Sequence, residues 1–113
     1  MTTPLEATTP FAPGALVILY LSEPREKVWG VLTGLEPAGV SIRGVDLDSF
    51  GDWLRGLSDS AESGVSPSSV FFPLRRVEKI LLDEEAQGVP SFSRQCQMRT
   101  GEAPGRLLAR GAA

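Results

Sequence analysis

The sequence predicts a mainly β fold, a small five-stranded barrel with one inserted short helix and flexible termini. Five short apolar segments are separated by tight turns within about seventy residues, a spacing typical of small β-barrels. One further segment changes to the three- and four-residue apolar spacing of a helix,. Prolines and small polar residues are frequent at the N-terminus, and the C-terminus is rich in alanine, glycine and arginine, so both ends are predicted to be flexible.

The first three predicted strands lie between residues 15 and 45. Ala15–Leu21 is an apolar run too short for a good helix and rich in strand formers, so we expect a buried strand,. A polar turn containing Pro24 ends it, and Lys27–Leu35 follows as the second strand,. Gly30 within that strand is typical of a sharp bend or a close backbone approach. After another tight turn, Val40–Val45 alternates apolar and other residues as a third strand,.

An inserted segment separates these strands from the last two. Its apolar residues recur at helical spacing and predict a short helix over residues 46–57; they are Leu47, Phe50, Trp53, Leu54 and Leu57. The serine-rich stretch 58–69 predicts a mobile loop,.

Two more strands complete the predicted barrel. Val70–Phe72 is the fourth strand and Val77–Leu82 the fifth, joined by a tight turn,. Val89–Gly101 is predicted to be a short helix or an ordered arm, and Ala103–Ala113 to be disordered,. The expected organisation is a flexible N-terminal lead over 1–13, a small β-barrel over 14–85 with a helical insertion at 46–57 and a mobile loop at 58–69, and a C-terminal arm and disordered tail over 86–113.

The composition excludes several kinds of catalysis. Without histidine the chain has no Ser-His-Asp triad, no Cys-His dyad and no imidazole metal ligand,. Its one cysteine, Cys96, permits neither an internal disulfide nor a thiolate zinc site,. We expect Cys96 to lie in an exposed arm, without the orienting base that a catalytic thiol needs. The sequence therefore predicts no enzyme activity, no metal and no cofactor.

Charge and targeting signals indicate the compartment and the class of partner. The net charge is −3, but residues 14–85 carry −5 and the tail from residue 86 carries +3. A nucleic-acid binder usually shows a basic face, and here only the tail is basic.

The longest apolar run, seven residues, is far shorter than the ~20 needed to span a bilayer. The first thirteen residues lack the basic start of a signal peptide,. We expect a cytoplasmic protein without a membrane partner, and the preference for arginine, alanine, glycine and proline indicates a bacterial source.

Two segments of the chain resemble the signatures of the Sm-like family, which includes bacterial Hfq. The strands Val17–Leu21, Val28–Leu32 and Val40–Arg43, with Gly30 at the glycine position, are similar to the first signature. Phe71–Ile80 is similar to the second in length and apolar placement. SH3-like barrels share this order and spacing of strands along the chain. The resemblance implies a small barrel whose fourth and fifth strands pair between copies to close a ring, and it implies RNA binding.

The chain departs from the Sm-like pattern where that family binds RNA. The acidic-then-asparagine turn of the family is replaced by Glu36-Pro-Ala-Gly39, and its Arg-Gly pair by Pro73-Leu74. The insertion over 46–69 is longer than the family usually has. RNA binding is therefore the second of the two functions that we consider.

Five residues are predicted to bind a partner: Phe50, Trp53, Leu57, Arg75 and Arg76. The first three share one face of the predicted helix, where an aromatic ring either fills the core or anchors a partner. Core burial is favoured for Phe50, and both roles stay open for Trp53. The two arginines suit a phosphate or a partner carboxylate, and the alternative is a solvated turn paired with nearby acids.

The function predicted from these observations is a non-catalytic protein-interaction or self-assembly module. It binds another protein, or a copy of itself, through open strand edges and the helix face. In the second case Val70–Phe72 meets Val77–Leu82 of a neighbour in a head-to-tail contact. The alternative is a divergent Sm-like RNA-binding regulator that uses Arg75, Arg76 and the basic tail.

Overall fold

A computed structural model describes residues 9–59 and 64–111. The described elements, in chain order, are β1 Leu16–Leu21, β2 Glu26–Glu36, β3 Gly39–Asp46, a 3-10 turn Leu47–Ser49, α1 Phe50–Asp59, β4 Ser68–Pro73, a second 3-10 turn Leu74–Arg76, β5 Val77–Leu82, α2 Phe92–Thr100 and α3 Pro104–Ala109. The expected lead over 1–13 lies mostly outside the described residues, as does the middle of the expected loop over 58–69. Among the described helices, none is long and apolar enough to cross a membrane.

The five strands form one antiparallel sheet in the order β4-β3-β2-β1-β5. The predicted mainly β class is confirmed, and all five predicted strands are present. The sheet does not close into a barrel, because within the described residues β4 pairs only with β3 and β5 only with β1. Both terminal strands of the sheet therefore keep an open edge.

The link between the two edge strands requires the sheet to bend strongly. β4 and β5 each run antiparallel to their neighbours, so Pro73 and Val77 would lie at opposite corners of a flat sheet. Two edges of a flat five-stranded sheet are ~19 Å apart even at the same end. Only the turn Leu74–Arg76 joins Pro73 to Val77, and four peptide units reach at most ~15 Å. The two edges must therefore curl toward each other.

Glycines allow two of the strands to approach closely within this curved sheet. Gly30 of β2 and Gly44 of β3 are cross-strand partners. A Cβ atom on Gly30 would lie 2.2 Å from the carbonyl oxygen of Arg43, and one on Gly44 would lie 2.1 Å from that of Trp29. Both contacts involve backbone atoms, which cannot rotate away. The predicted close approach at Gly30 is therefore present.

The sheet carries an apolar cluster on each face. The inner face, where Phe72 of β4 and Ile80 of β5 pack into the same cluster, holds Val17, Leu19, Leu21, Val28, Leu32, Val40, Ile42 and Phe72. The opposite face, which we call the helix face, is covered by the helices and holds Trp29, Val45, Phe50, Trp53, Leu54, Cys96, Leu107 and Leu108. Apolar residues on both faces explain why β1 and the stretch Val28–Leu32 of β2 are continuously apolar instead of alternating,.

The C-terminal region is more ordered than the sequence predicts. Disorder was expected over Ala103–Ala113, but α3 forms within it and buries Leu107 and Leu108 against the helix face. Arg43 of β3 fixes the end of this helix by donating to the carbonyl oxygens of Leu108 and Arg110, both at 2.8 Å. The expectation of disorder was wrong there because burial of the two leucines against a distant surface outweighs a composition rich in alanine, glycine and arginine,.

Candidate functional site

The two aromatic residues predicted to bind a partner are core residues. Phe50 is 5% exposed and Trp53 is 2% exposed. Both rings contact Trp29 of β2, with centroids 5.3 and 5.7 Å apart, and Phe92 of α2 packs edge-on against Phe50 at 4.9 Å. These contacts leave neither ring on the surface, so this side of α1 packs against the protein's own sheet. Leu57 is half-buried against the same cluster.

The two predicted arginines differ in their surroundings. Arg76 donates to the backbone oxygens of Ser22 and Pro24, pairs with the Glu26 carboxylate at 2.7 Å, and lies over the Phe72 ring. It therefore holds the β1–β2 turn against the start of β5. Arg75 is exposed, and its role as a partner contact stays a prediction.

The open edge of β4 presents an uncharged, apolar strand. Five of its six residues, Ser68-Ser-Val-Phe-Phe-Pro73, are exposed. Val70 is 36% exposed and Phe71 is 46% exposed, and the adjoining Leu74 is 50% exposed. Proteins commonly protect an edge strand with lysines, inward-pointing charges or bulges. β4 carries none of these and has only a proline at its end.

The backbone groups that β4 turns outward can be assigned from one hydrogen bond. The N–H of Leu74 donates to the carbonyl oxygen of Ala38, 3.0 Å away. Antiparallel pairing alternates the direction of the backbone groups, so Val70 and Phe72 turn theirs toward β3. Ser69 and Phe71 turn theirs toward the open edge. The next outward position is Pro73, which has no N–H to offer.

The outward backbone groups of β5, at the opposite edge of the sheet, also follow from one hydrogen bond. The N–H of Asp83 donates to the carbonyl oxygen of Leu16 at 3.0 Å. Leu81 and Lys79 therefore turn their backbone groups toward β1, while those of Ile80 and Leu82 point outward. Unlike β4, this strand carries Glu78 and Lys79 and has a register shift at its start.

Sequence reasoning missed Asp83, which joins three parts of the fold. Its carboxylate accepts from the indole Nε1 of Trp29 at 2.9 Å, from the backbone N–H groups of Phe92 and Ser93 at 2.9 and 2.8 Å, and from the Ser93 hydroxyl at 2.6 Å. It thus caps the first turn of α2 and satisfies the N–H of a fully buried tryptophan. In the sequence it stands in an acidic run, which is typical of a solvated strand end.

Cys96, which belongs to α2, is buried in the cluster around Trp29 and is not exposed in an arm as the sequence predicts. Burial, with a smaller contribution from the negative charge of Asp83, raises the pKa of the thiol from its usual value of 9.0 to about 11,. A thiol with this pKa is protonated at neutral pH and is a poor nucleophile. Within residues 9–59 and 64–111, no group of three or more carboxylate or thiol side chains is placed to hold a metal ion.

Comparison with known proteins gives no relative for this chain. No protein family, no curated protein and no solved structure matches it. The function must therefore be argued from the open edges and side chains themselves.

Proposed function

We propose that this chain is a self-assembly module in which the open edge of β4 in one copy pairs with the open edge of β5 in the next. One observation carries the proposal: β4 is an uncharged, largely exposed edge strand with two outward-facing backbone N–H groups. Unpaired backbone groups along an exposed strand are a template for adding a further strand.

A second copy is the occupant that best fits this edge. The same chain carries a second open edge, β5, whose outward groups at Ile80 and Leu82 have the same two-residue spacing as those at Ser69 and Phe71. The edges also present exposed apolar side chains, Phe71 on β4 and Leu81 on β5. Pairing two different surfaces is a head-to-tail contact, which repeats until it closes into a ring or extends as a filament.

The resemblance to Sm-like and SH3-like barrels supports the same proposal. A strongly curled five-stranded sheet, linked from edge to edge by a three-residue turn, is compatible with such a barrel. Edge-to-edge assembly is what the Sm-like resemblance implies. The proposal does not depend on the resemblance, because the open edges are features of this sheet alone.

Ser69→Pro tests the pairing while preserving the β3–β4 ladder. Proline removes the N–H of residue 69, which points outward, and leaves the inward groups of Val70 and Phe72 in place. The matched control is Ser69→Ala, which shortens the same exposed side chain and keeps the N–H. Sedimentation velocity at increasing protein concentration measures the mass of the species in solution. Near-ultraviolet circular dichroism of the aromatic core verifies that each variant is folded.

The expected result is that the wild type and Ser69→Ala assemble as concentration rises, while folded Ser69→Pro stays a monomer or assembles only at much higher concentration. A wild type that remains monomeric throughout would refute self-assembly. Assembly of Ser69→Pro at the wild-type concentration would refute the role of β4. Should Ser69→Pro fail to fold, Phe71→Lys, which places a charge on the same exposed edge, takes its place.

RNA binding by Arg75, Arg76 and the basic tail is the alternative function. The contacts of Arg76 with Ser22, Pro24 and Glu26 count against its use for phosphate. Binding of generic single-stranded RNA that weakens steeply with salt and is lost in Arg75→Gln would favour this alternative over self-assembly.

A further inference from the structure

The only tyrosine and the only two lysines of the chain lie side by side. Tyr20 stands on β1, and its cross-strand partners are Lys27 on β2 and Lys79 on β5. The Nζ atoms of the two lysines lie 4.9 and 4.6 Å from the centroid of the tyrosine ring. Since β2 and β5 flank β1 on opposite sides, one ring holds an ammonium group on each side.

These cations lie in a cleft large enough for a small molecule. The cleft has a volume of about 390 Å³, within the range of small-ligand sites. Arg25 lines it beside the two lysines, together with the carboxylates of Glu26, Asp48 and Glu78. Glu26 is already neutralised by its ion pair with Arg76.

The three cations of this cleft lack carboxylate partners. Among the described residues, neither lysine nor Arg25 has a carboxylate oxygen within salt-bridge distance. Several other arginines do have partners: Arg55 pairs with Asp52, Arg94 with Glu85 and Arg110 with Glu102. Asp48 and Glu78 also line the cleft, so its charges nearly balance, but these carboxylates do not engage the three cations, whose N–H donors stay available to an anionic ligand,.

We propose that this cleft binds a small ligand that carries a diphosphate group. Phosphate oxygens accept from both ammonium groups, and the planar guanidinium of Arg25 offers parallel N–H donors to a second phosphoryl group. Tyr20 acts as a positioning residue, because its ring holds the two lysines close together against their mutual repulsion. The two ammonium groups are within about 10 Å of each other, a separation that flexible lysine stems can close around one ligand.

A small ligand fits this site better than a nucleic-acid strand does. Asp48 and Glu78 line the same cleft, and a long polyanion lying across it would meet both carboxylates. A diphosphate group is short enough to contact the cations without extending over the whole cleft. Lys79 and Glu78 of the cleft lie on β5, but the proposed assembly uses the outward backbone groups of Ile80 and Leu82, so the site does not require assembly.

Labelling the full-length protein with ¹³Cε-lysine gives a direct readout, since the only two lysines both belong to the site. Inorganic pyrophosphate is the probe, with inorganic phosphate and citrate as comparison anions. We expect both lysine signals to shift together and saturate, with pyrophosphate binding more tightly than either comparison anion at the same ionic strength. Lys27→Gln and Lys79→Gln are each expected to weaken binding roughly tenfold, in line with the loss of one charge-assisted contact.

Two further variants separate a binding site from a structural cross-strand cluster. Arg106→Gln removes an exposed cation on α3 and is expected to leave pyrophosphate affinity unchanged. Tyr20→Phe keeps the ring and is expected to keep the affinity, whereas Tyr20→Leu is expected to weaken it severalfold with all charges retained. Lysine signals that do not saturate, or equal losses in Arg106→Gln and Lys27→Gln, would overturn the proposal. If citrate bound as tightly as pyrophosphate, the assignment of the ligand group as a diphosphate would be overturned.

Discussion

Replacing Asp83 by alanine removes the side chain that joins β5, α2 and the aromatic core. The carboxylate accepts four hydrogen bonds, from Trp29, Phe92 and Ser93. Its loss leaves the indole N–H of Trp29, whose side chain is fully buried, without a partner, and it leaves the first turn of α2 without this cap. We therefore expect α2 to detach from the sheet more readily than any other described helix.

The size of this effect follows from the partners that are lost. An unsatisfied buried donor costs about 1–3 kcal/mol, and losing an N-terminal cap costs typically ~1 kcal/mol. Because the four bonds share one carboxylate, their contributions do not add, and we expect a total loss of about 3 kcal/mol in the free energy of unfolding. For a domain of this length that is a fall of roughly 12 °C in melting temperature.

Urea unfolding followed by tryptophan fluorescence measures the change, since both tryptophans lie in the affected cluster. Glu84→Ala is the matched control, because it removes the same charge from the neighbouring exposed position and is expected to shift stability by less than ~0.5 kcal/mol. Asp83→Asn keeps one acceptor oxygen and should fall between the two. An Asp83→Ala variant as stable as Glu84→Ala would refute the joining role of this carboxylate.

Three further predictions concern the core. Gly30→Ala is expected to cost more than ~2 kcal/mol in thermal unfolding, because its Cβ would lie 2.2 Å from a backbone oxygen,, while Gly34→Ala, with its nearest neighbour at 3.6 Å, should be close to neutral. Trp53→Ala is expected to cost ~3–5 kcal/mol, and equal stability to wild type would contradict its burial. Cys96, with its pKa raised to about 11, should resist a thiol reagent at neutral pH until urea unfolds the chain. Since folding favours the protonated thiol, its contribution to stability is complete below pH 9 and should be lost as pH rises toward 11,.

Local patterns in the sequence predict the elements of this fold well. Each strand is a short run of strand formers ended by proline, glycine or charge, and Val77–Leu82 is predicted with the boundaries that the structure has. The helix after β3 follows from the spacing of Phe50, Trp53 and Leu57, although its first turn is 3-10. These features depend on neighbours in the chain, which a sequence displays directly.

Contacts between distant residues are what the sequence does not display. Asp83 looks like part of a solvated acidic run, because its partner Trp29 lies 54 residues away. Leu107 and Leu108 stand among alanines, glycines and arginines, a composition that does not predict burial, and only the surface that they meet makes α3 ordered. The cluster around Tyr20 also depends on strand register, which brings two isolated lysines to the same ring.

Amide hydrogen exchange at β4, measured as a function of protein concentration, tests the proposed assembly most directly. We expect Val70 and Phe72, whose N–H groups face β3, to be protected at every concentration. Ser69 and Phe71, whose N–H groups face the open edge, should exchange freely in dilute solution and become protected as concentration rises, together with Ile80 and Leu82 of β5. Free exchange of Ser69 and Phe71 at every concentration, in a sample whose Val70 and Phe72 are protected, would contradict the proposed assembly.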